Sequence, residues 1–164
     1  MNTILLLDLE NTIIEDWSEA PNLLGDSYPE LKEWVGSHVV QNARVGLLSW
    51  AIWNDDDLIK FNKRFRPVIE DGHGFKFDDS LIFNRDKLLT KFQGWKRMPF
   101  LDGDDFMSFF NKRIVCEELW LHEFSEPETK IVFLDDTVPD MVLKHSTIKN
   151  NSLELVNPWT IIRN

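Results

Sequence analysis

The stretch ILLLDLENTIIEDW, residues 4–17, places four apolar residues directly before Asp8, with Glu10 two positions on and Thr12 two beyond that. A continuous apolar run bounded by polar residues is typical of a strand buried on both faces of a sheet. We therefore predict a strand over residues 3–8. Two interpretations of its acidic end are open. The strand carries a nucleophile to the edge of a sheet, or it is an ordinary strand with a polar exit turn.

The composition fits one globular domain. The chain has 164 residues, of which 43% are hydrophobic and 28% charged, and this balance is typical of folded rather than disordered sequences. The formal net charge is -10. An acidic surface disfavours broad binding to nucleic acid or anionic membranes, because both need basic groups to neutralise phosphates.

The cellular setting is expected to be the cytoplasm, with no membrane association. No apolar run approaches the roughly 20 residues that span a bilayer. The N-terminal apolar stretch has no basic region before it, as a signal peptide would. The single cysteine, Cys116, excludes an internal disulfide and is predicted to be a buried thiol in a helix.

Strand and helix patterns alternate along the chain. Further apolar runs predict strands at residues 43–50, 80–83, 130–135 and 152–156. Helices are predicted at 29–39, from a cap at Asn54 to an end at Pro67, at 85–95, within 101–124 and at 138–149, with a glycine-containing loop at 70–77.

This alternation predicts an α/β fold, specifically a doubly wound parallel sheet with helices on both faces. We expect one domain over residues 1–164, with a small insertion possible within 67–111. In such sheets ligands bind at the carboxyl ends of the strands. Asp8, Ser49 and the pair Asp135 and Asp136 each end a predicted strand. If those strands are neighbours, these oxygen-bearing side chains meet at one edge.

The motifs that contain these residues resemble those of the haloacid dehalogenase (HAD) superfamily. DLENT (8–12) is similar to its first motif, VGLLSW (45–50) to its second, and IVFLDDTVPDM (131–141) to its fourth. The third motif is a lone lysine, for which Lys112 is the candidate and Lys91, Lys96 or Arg113 are alternatives. The resemblance covers residues 3 to 141 and implies a HAD-type, Rossmann-like core.

The resemblance also implies the roles of the site residues. Asp8 would be the nucleophile that forms an aspartyl-phosphate, and it would also be a ligand of Mg²⁺. The main-chain carbonyl of Glu10 and the side chain of Asp136 would be further metal ligands, with Asp135 or Asp140 in support. Ser49 would hydrogen-bond the phosphoryl oxygens and Lys112 would balance negative charge. Thr12 is expected to be a structural residue of the turn.

Glu10 departs from the family pattern, which has Asp two positions after the nucleophile as the general acid and base. Glutamate has a similar reference pKa, about 4.3 against about 3.9, so the proton transfer is retained. Its extra methylene displaces the carboxylate by about an ångström, and a displacement of that size can cost about a hundredfold in rate. We expect a slow or unusually selective phosphatase.

The leading functional hypothesis is therefore a Mg²⁺-dependent phosphomonoester hydrolase. One alternative is a HAD-like binding or regulatory protein with negligible turnover. Another is a nucleotide or nucleic-acid 3′-phosphatase, for which the basic run KFNKRFR (60–66) would supply a contact surface, although a solvated helix face is its commoner meaning. The gaps between motifs leave little or no room for a cap domain. An open site of this kind suits a phosphorylated macromolecule or a small phosphorylated molecule.

Overall fold

A computed structural model describes residues 2–96 and 112–163. Within those residues the strands are β1 (Asn2–Leu7), β2 (Arg44–Leu48), β3 (Phe77–Phe83), β4 (Thr129–Leu134), β5 (Met141–Lys144) and β6 (Ser152–Val156). The helices are α1 (Leu24–Ser27), α2 (Pro29–Val40), α3 (Asp55–Lys60), α4 (Arg66–His73), α5 (Arg85–Gly94), α6 (Lys112–His122) and α7 (Pro158–Arg163), with a π-helical segment, Phe61–Phe65, between α3 and α4.

These strands form one six-stranded sheet in the order β3-β2-β1-β4-β6-β5. All neighbouring pairs are parallel except β5 and β6, which are antiparallel. The predicted α/β class is thereby confirmed. The condition for the strand-end residues to meet at one edge is also met, because β1 lies between β2 and β4 in the sheet.

The central strands are buried on both faces because their apolar residues are consecutive. In β1, Leu5 and Leu7 join one core cluster, and Ile4 and Leu6 join another. Successive side chains of a strand point to opposite faces, so the two clusters lie on opposite sides of the sheet. Helices α2 and α4 contribute to the first cluster, and α5 and α6 to the second, where Cys116 is the predicted buried thiol.

One predicted helix is wrong. Residues 138–149 contain β5 and the turn after it rather than a helix. Met141 and Leu143 pack against the second core cluster while Val142 and Lys144 are exposed, which is the alternation of an edge strand. Strand β6 supplies the backbone hydrogen-bonding partners of β5. The local sequence of residues 138–149 does not indicate this pairing, so it could not predict a strand there.

Two predicted boundaries are also wrong. Pro67 does not end the helix that Asn54 caps, because the chain continues through the π-helical segment and Pro67 lies in the first turn of α4. There its missing N–H costs nothing. The predicted loop at 70–77 is helical as far as His73, and Gly74 ends α4 in the left-handed conformation, with φ +73°.

The other predicted elements appear near their expected places. The strands predicted at 43–50, 80–83, 130–135 and 152–156 correspond to β2, β3, β4 and β6, and the helices predicted at 29–39 and 85–95 correspond to α2 and α5. Of the helix predicted within 101–124, only α6 and the residues after it fall in the described part, and residues 101–111 lie outside it. Part of the possible insertion within 67–111 lies outside the described residues for the same reason. None of the described helices has the length and apolar character that crossing a membrane requires.

Gly46 is required where β2 passes β3. A Cβ atom at this position would lie 2.5 Å from both Cβ and the carbonyl oxygen of Leu81. Gly36 in α2, by contrast, has no atom of the described part of the chain within 4 Å of a Cβ position. We expect Gly46→Ala to lower the free energy of unfolding by about 1–3 kcal/mol through overpacking. Gly36→Ala should raise it by up to about 1 kcal/mol through helix propensity. Denaturant titration of both variants measures the contrast, and equal effects would contradict it.

His73 is buried at the end of α4, and neither of its ring nitrogens has a hydrogen-bonding partner among the residues that the structure describes. Burial lowers the pKa of His73 from 6.5 to about 4, with the charge of Lys32 adding to the effect and Asp26 opposing it. Between these values the unfolded chain binds a proton that the folded chain does not. Titration of His73 therefore does not reduce the free energy of unfolding above pH 6.5. As the pH falls from 6.5 towards 4, the free energy of unfolding decreases by at most about 3 kcal/mol.

We expect His73→Leu to flatten the dependence of unfolding free energy on pH between 6.5 and 4. The control is Ile69→Val in the same helix, where the buried side chain does not titrate. This control should lower stability by about 1 kcal/mol at every pH. Parallel curves for wild type and His73→Leu would show that another group governs acid sensitivity.

Candidate active site

The site lies at the carboxyl ends of the three neighbouring strands β2, β1 and β4. Asp8, Ser49 and Asp135 each follow the last residue of one of these strands directly. Backbone bonds extend past the strand ends: Asp8 N donates to Leu134 O at 3.0 Å, and Asp135 N donates to Val156 O at 3.1 Å. The sheet itself therefore fixes the two carboxylates side by side.

Thr12 joins the turn after β1 to the loop after β4. Its Oγ1 lies 3.1 Å from Asp8 Oδ2, to which it donates, and 3.4 Å from Asp136 Oδ1. It also accepts a hydrogen bond from Asp136 N at 3.1 Å. Thr12 is completely buried, as expected of a structural residue. The turn is closed by Leu9 O, which accepts from the amides of Thr12 and Ile13 at 3.2 and 2.9 Å.

Lys112, the first described residue of α6, reaches both carboxylates at once. Its Nζ lies 2.6 Å from Asp8 Oδ1 and 2.7 Å from Asp135 Oδ2. The side chains are 9%, 4% and 0% exposed, so water screens these ion pairs little. The alternatives lie elsewhere: Lys91 pairs with Glu123 and Arg113 with Glu117, while Lys96 is exposed. Of the four basic candidates, Lys112 is thus the one whose ion pairs include Asp8.

Burial and the neighbouring charges shift the pKa values of Asp8 and Lys112. Burial raises the pKa of Asp8 from 3.8 to about 7; the Lys112 ammonium opposes this and the Asp135 carboxylate adds to it. Burial works to lower the pKa of Lys112, but its attraction to Asp8 and Asp135 outweighs burial, and its pKa rises. Two buried carboxylates share one buried cation, so a further positive charge would favour the ionised form of Asp8.

The oxygen atoms present suit a hard divalent cation. Asp8, Asp135 and Asp136 each offer a carboxylate oxygen, and these oxygens lie within 4.8 Å of one another. Oxygen-only sites of this kind suit Mg²⁺. Asp135 is the least available of the three, because Thr137 N and Oγ1 donate to its Oδ1 and Lys112 pairs with its Oδ2. Asp140 lies outside this cluster and accepts from Asn157 N at 2.8 Å.

A cavity of about 370 Å³ adjoins these groups. Its described lining consists of Asp8, Glu10, Asn11, Ser49, Trp50, Ala51, Lys112 and Asp136. Glu10 is exposed at this cavity, whereas Ser49 is buried. The Oγ of Ser49 accepts from Ala51 N at 3.2 Å, and this acceptor role leaves its proton available to a ligand. The predicted site residues that line this cavity are Asp8, Glu10, Ser49, Lys112 and Asp136. Asp135 and Asp140, which were expected in support, are not part of its described lining, although Asp135 is paired with Lys112.

Sequence reasoning did not include three of the polar residues that organise this edge. Asn11, at φ 58°, donates from Nδ2 to Asp136 Oδ2 at 3.2 Å. Thr137, within the loop after β4, donates to Asp135 Oδ1, and Asn157 donates to two main-chain carbonyls of the same loop. Asparagine tolerates positive φ, and Asn11 lies between the motif residues Glu10 and Thr12. Of these three residues, Asn11 is therefore the one whose role in the turn the sequence could have indicated.

Comparison with known proteins gives no assignment. The chain matches no protein-family model, no curated protein and no solved structure. The resemblance to HAD proteins therefore depends on the sequence motifs alone.

We expect Lys112→Met to lower the free energy of unfolding by about 3–5 kcal/mol, because it leaves two buried carboxylates without a cation. Adding Asp8→Asn to this variant should restore part of the loss, since one of the two charges is then absent. The control is Lys91→Met, which breaks the more exposed pair with Glu123 at 2.8 Å and should cost about 1 kcal/mol or less. Denaturant titrations measure the free energy of unfolding of Lys112→Met, Asp8→Asn, the double variant and Lys91→Met. If the effects of Lys112→Met and Asp8→Asn are strictly additive, the two carboxylates do not share the charge of Lys112.

Proposed function

We propose that this protein is a Mg²⁺-dependent phosphomonoester hydrolase of HAD type, with a doubly wound core and Asp8 as its nucleophile. The observation that carries the proposal is the convergence of Asp8, Ser49, Lys112 and Asp136 on one cavity. They come from four separate segments of the chain, and the HAD resemblance assigns them the roles of nucleophile, phosphate-binding hydroxyl, cation and metal ligand.

The chemistry requires a carboxylate held against an anionic phosphoryl group. Asp8, Asp136 and the main-chain carbonyl of Glu10 would hold Mg²⁺, with Asp135 behind them. When bound, Mg²⁺ supplies positive charge that offsets the repulsion between the nucleophile and the phosphoryl oxygens. Lys112 contributes in the same sense, and Thr12 and Lys112 together fix the orientation of the Asp8 carboxylate.

The first step forms a bond between Asp8 and phosphorus and breaks the ester bond to the leaving oxygen. Glu10, as the carboxylic acid, gives its proton to that oxygen. In the second step water attacks phosphorus, Glu10 takes the proton from the water, and the bond to Asp8 breaks. Inorganic phosphate leaves and both carboxylates return to their starting states. Ser49 donates its hydrogen bond to a phosphoryl oxygen throughout.

The exposed position of Glu10 supports its assignment as the proton carrier. A residue at the cavity mouth has the space that its additional methylene needs, which a buried position would deny it. The carboxylate still lies about an ångström from the place that an aspartate would occupy, so we expect slow turnover.

The charges of the protein disfavour a nucleic-acid substrate. The net charge is -10, and the basic run at 60–66 is partly engaged within the protein. Lys60 donates to Trp17 O at 2.9 Å, and Arg66 binds Glu70 and Asp79. Between motifs one and two, residues 13–43 contain α1 and α2, which leaves no space for a cap domain there.

The test is the release of phosphate from p-nitrophenyl phosphate, with and without Mg²⁺. We expect slow, metal-dependent release by the wild type and a loss of at least about a thousandfold in Asp8→Asn. Glu10→Asp should retain or raise the rate, because it restores the shorter acid. Asp56→Asn alters an exposed carboxylate of α3 outside the described cavity lining and should leave the rate unchanged.

Either of two results would overturn the proposal. Release that persists in Asp8→Asn would exclude Asp8 as the nucleophile. The absence of release from every variant, including Glu10→Asp, at Mg²⁺ concentrations that saturate the site would favour the binding or regulatory alternative.

A further inference from the structure

Asn157, directly after β6, makes a set of hydrogen bonds to the loop that carries Asp136. Its Nδ2 donates to two main-chain carbonyls of that loop, Asp136 O at 3.1 Å and Val138 O at 3.0 Å. Its own amide donates to Asp140 Oδ1 at 2.8 Å, and its Oδ1 accepts from Trp159 N at 3.0 Å. Three of these four bonds are to residues 136–140, and the fourth is to the first turn of α7.

These bonds complete the restraint of Asp136. On one side, Thr12 accepts from its amide and Asn11 donates to its side chain. On the other, Asn157 holds its carbonyl. Asp136 is only half-buried, and its loop, residues 135–140, has no regular secondary structure of its own. Removing the Asn157 side chain would remove the bonds to Asp136 O and Val138 O. The bonds made by Thr12, Asn11, the Asp135–Thr137 turn and the main-chain amide of Asn157 would stay.

We infer that Asn157 is a positioning residue that sets the affinity of the site for Mg²⁺ by fixing the Asp136 loop, and that Asp140 is its partner in this task rather than a metal ligand. The inference rests on the proposed function, because it takes Asp136 to be a ligand. Residues that orient metal ligands commonly change affinity by roughly 10–100-fold when removed.

The role of Asp140 follows from its position and its bond. It is exposed, it is absent from the cluster of carboxylates around Asp8, and its Oδ1 is engaged by Asn157 N. An amide oxygen accepts such a bond as a carboxylate does. If Asp140 only accepts the hydrogen bond from Asn157 N, Asp140→Asn preserves that bond and leaves Mg²⁺ affinity nearly unchanged. If Asp140 is a metal ligand, the same substitution weakens Mg²⁺ binding.

The structure contains a matched control at the opposite edge of the sheet. Asn151 precedes β6 and, like Asn157, donates from Nδ2 to two main-chain carbonyls, Phe124 O at 3.1 Å and Glu126 O at 2.8 Å. The five residues of β6 separate the two asparagines by about 20 Å, which is six steps of extended chain. The same substitution therefore removes an Nδ2 donor to two main-chain carbonyls at both positions. Asn157 is near the site, whereas Asn151 is far from it.

The experiment is calorimetric titration of the full chain with MgCl₂. We expect Asn157→Ser to weaken Mg²⁺ binding at least about tenfold, and Asn151→Ser to leave it within about twofold of the wild type, even where it lowers stability more. Asp140→Asn should remain within about threefold. Asn157→Asp is a second, isosteric variant. Its negative charge would by itself strengthen cation binding, so weaker binding by Asn157→Asp demonstrates the loss of loop positioning.

Phosphate release at varied Mg²⁺ supplies the second measurement. The rate of Asn157→Ser should approach that of the wild type as Mg²⁺ is raised, because the substitution weakens occupancy and leaves the reacting groups in place. Unchanged Mg²⁺ affinity in Asn157→Ser, or tighter binding by Asn157→Asp, would overturn the inference while leaving the proposed function intact. A tenfold loss in Asp140→Asn would overturn the assignment of Asp140. A wild type that binds no Mg²⁺ would overturn both the inference and the proposed function.

Discussion

The contact of Lys112 with Asp8 and Asp135 is the interaction on which the candidate site depends. Two carboxylates with side chains no more than 4% exposed would repel each other strongly in a medium that screens charge poorly. One ammonium within 2.7 Å of both makes the arrangement stable. It also joins three parts of the fold, since Asp8 follows β1, Asp135 follows β4 and Lys112 lies on α6.

The parallel sheet explains why these groups meet. Strands β2, β1 and β4 run in the same direction as neighbours, so the residues that follow them emerge at one edge. The apolar residues of β1 and β4 are packed in the core on both faces of the sheet, and this packing fixes the position of each strand along its own axis. The polar turn and loop at the edge are then held by a few hydrogen bonds, of which those of Thr12 and Asn157 connect different segments.

The errors of sequence reasoning have a common physical origin. The segment at 138–149 has a proline near its start and apolar residues that fit a helix, but the free edge of β6 offers a complete row of backbone partners to β5. Pro67 would end a helix that had to continue through it, yet it lies in the first turn of a new one. The sequence indicated more of the candidate site, because Asp8, Ser49 and Asp135 each directly follow an apolar run and Asp136 comes next in the chain. Asn157 carried no such signal, since an asparagine after a strand is common and its partners lie up to 21 residues away along the chain.

The sequence by itself determined the α/β class, the buried strands and the residues placed at their carboxyl ends, because these follow from local runs of apolar side chains and the period of two in a strand. It did not determine which basic residue pairs with Asp8, how the chain after Asp136 returns to the sheet, or what holds that loop. Only the tertiary structure decided these points, since Lys112, β5 and Asn157 acquire their roles from partners that are distant in the chain and adjacent only after the sheet has formed.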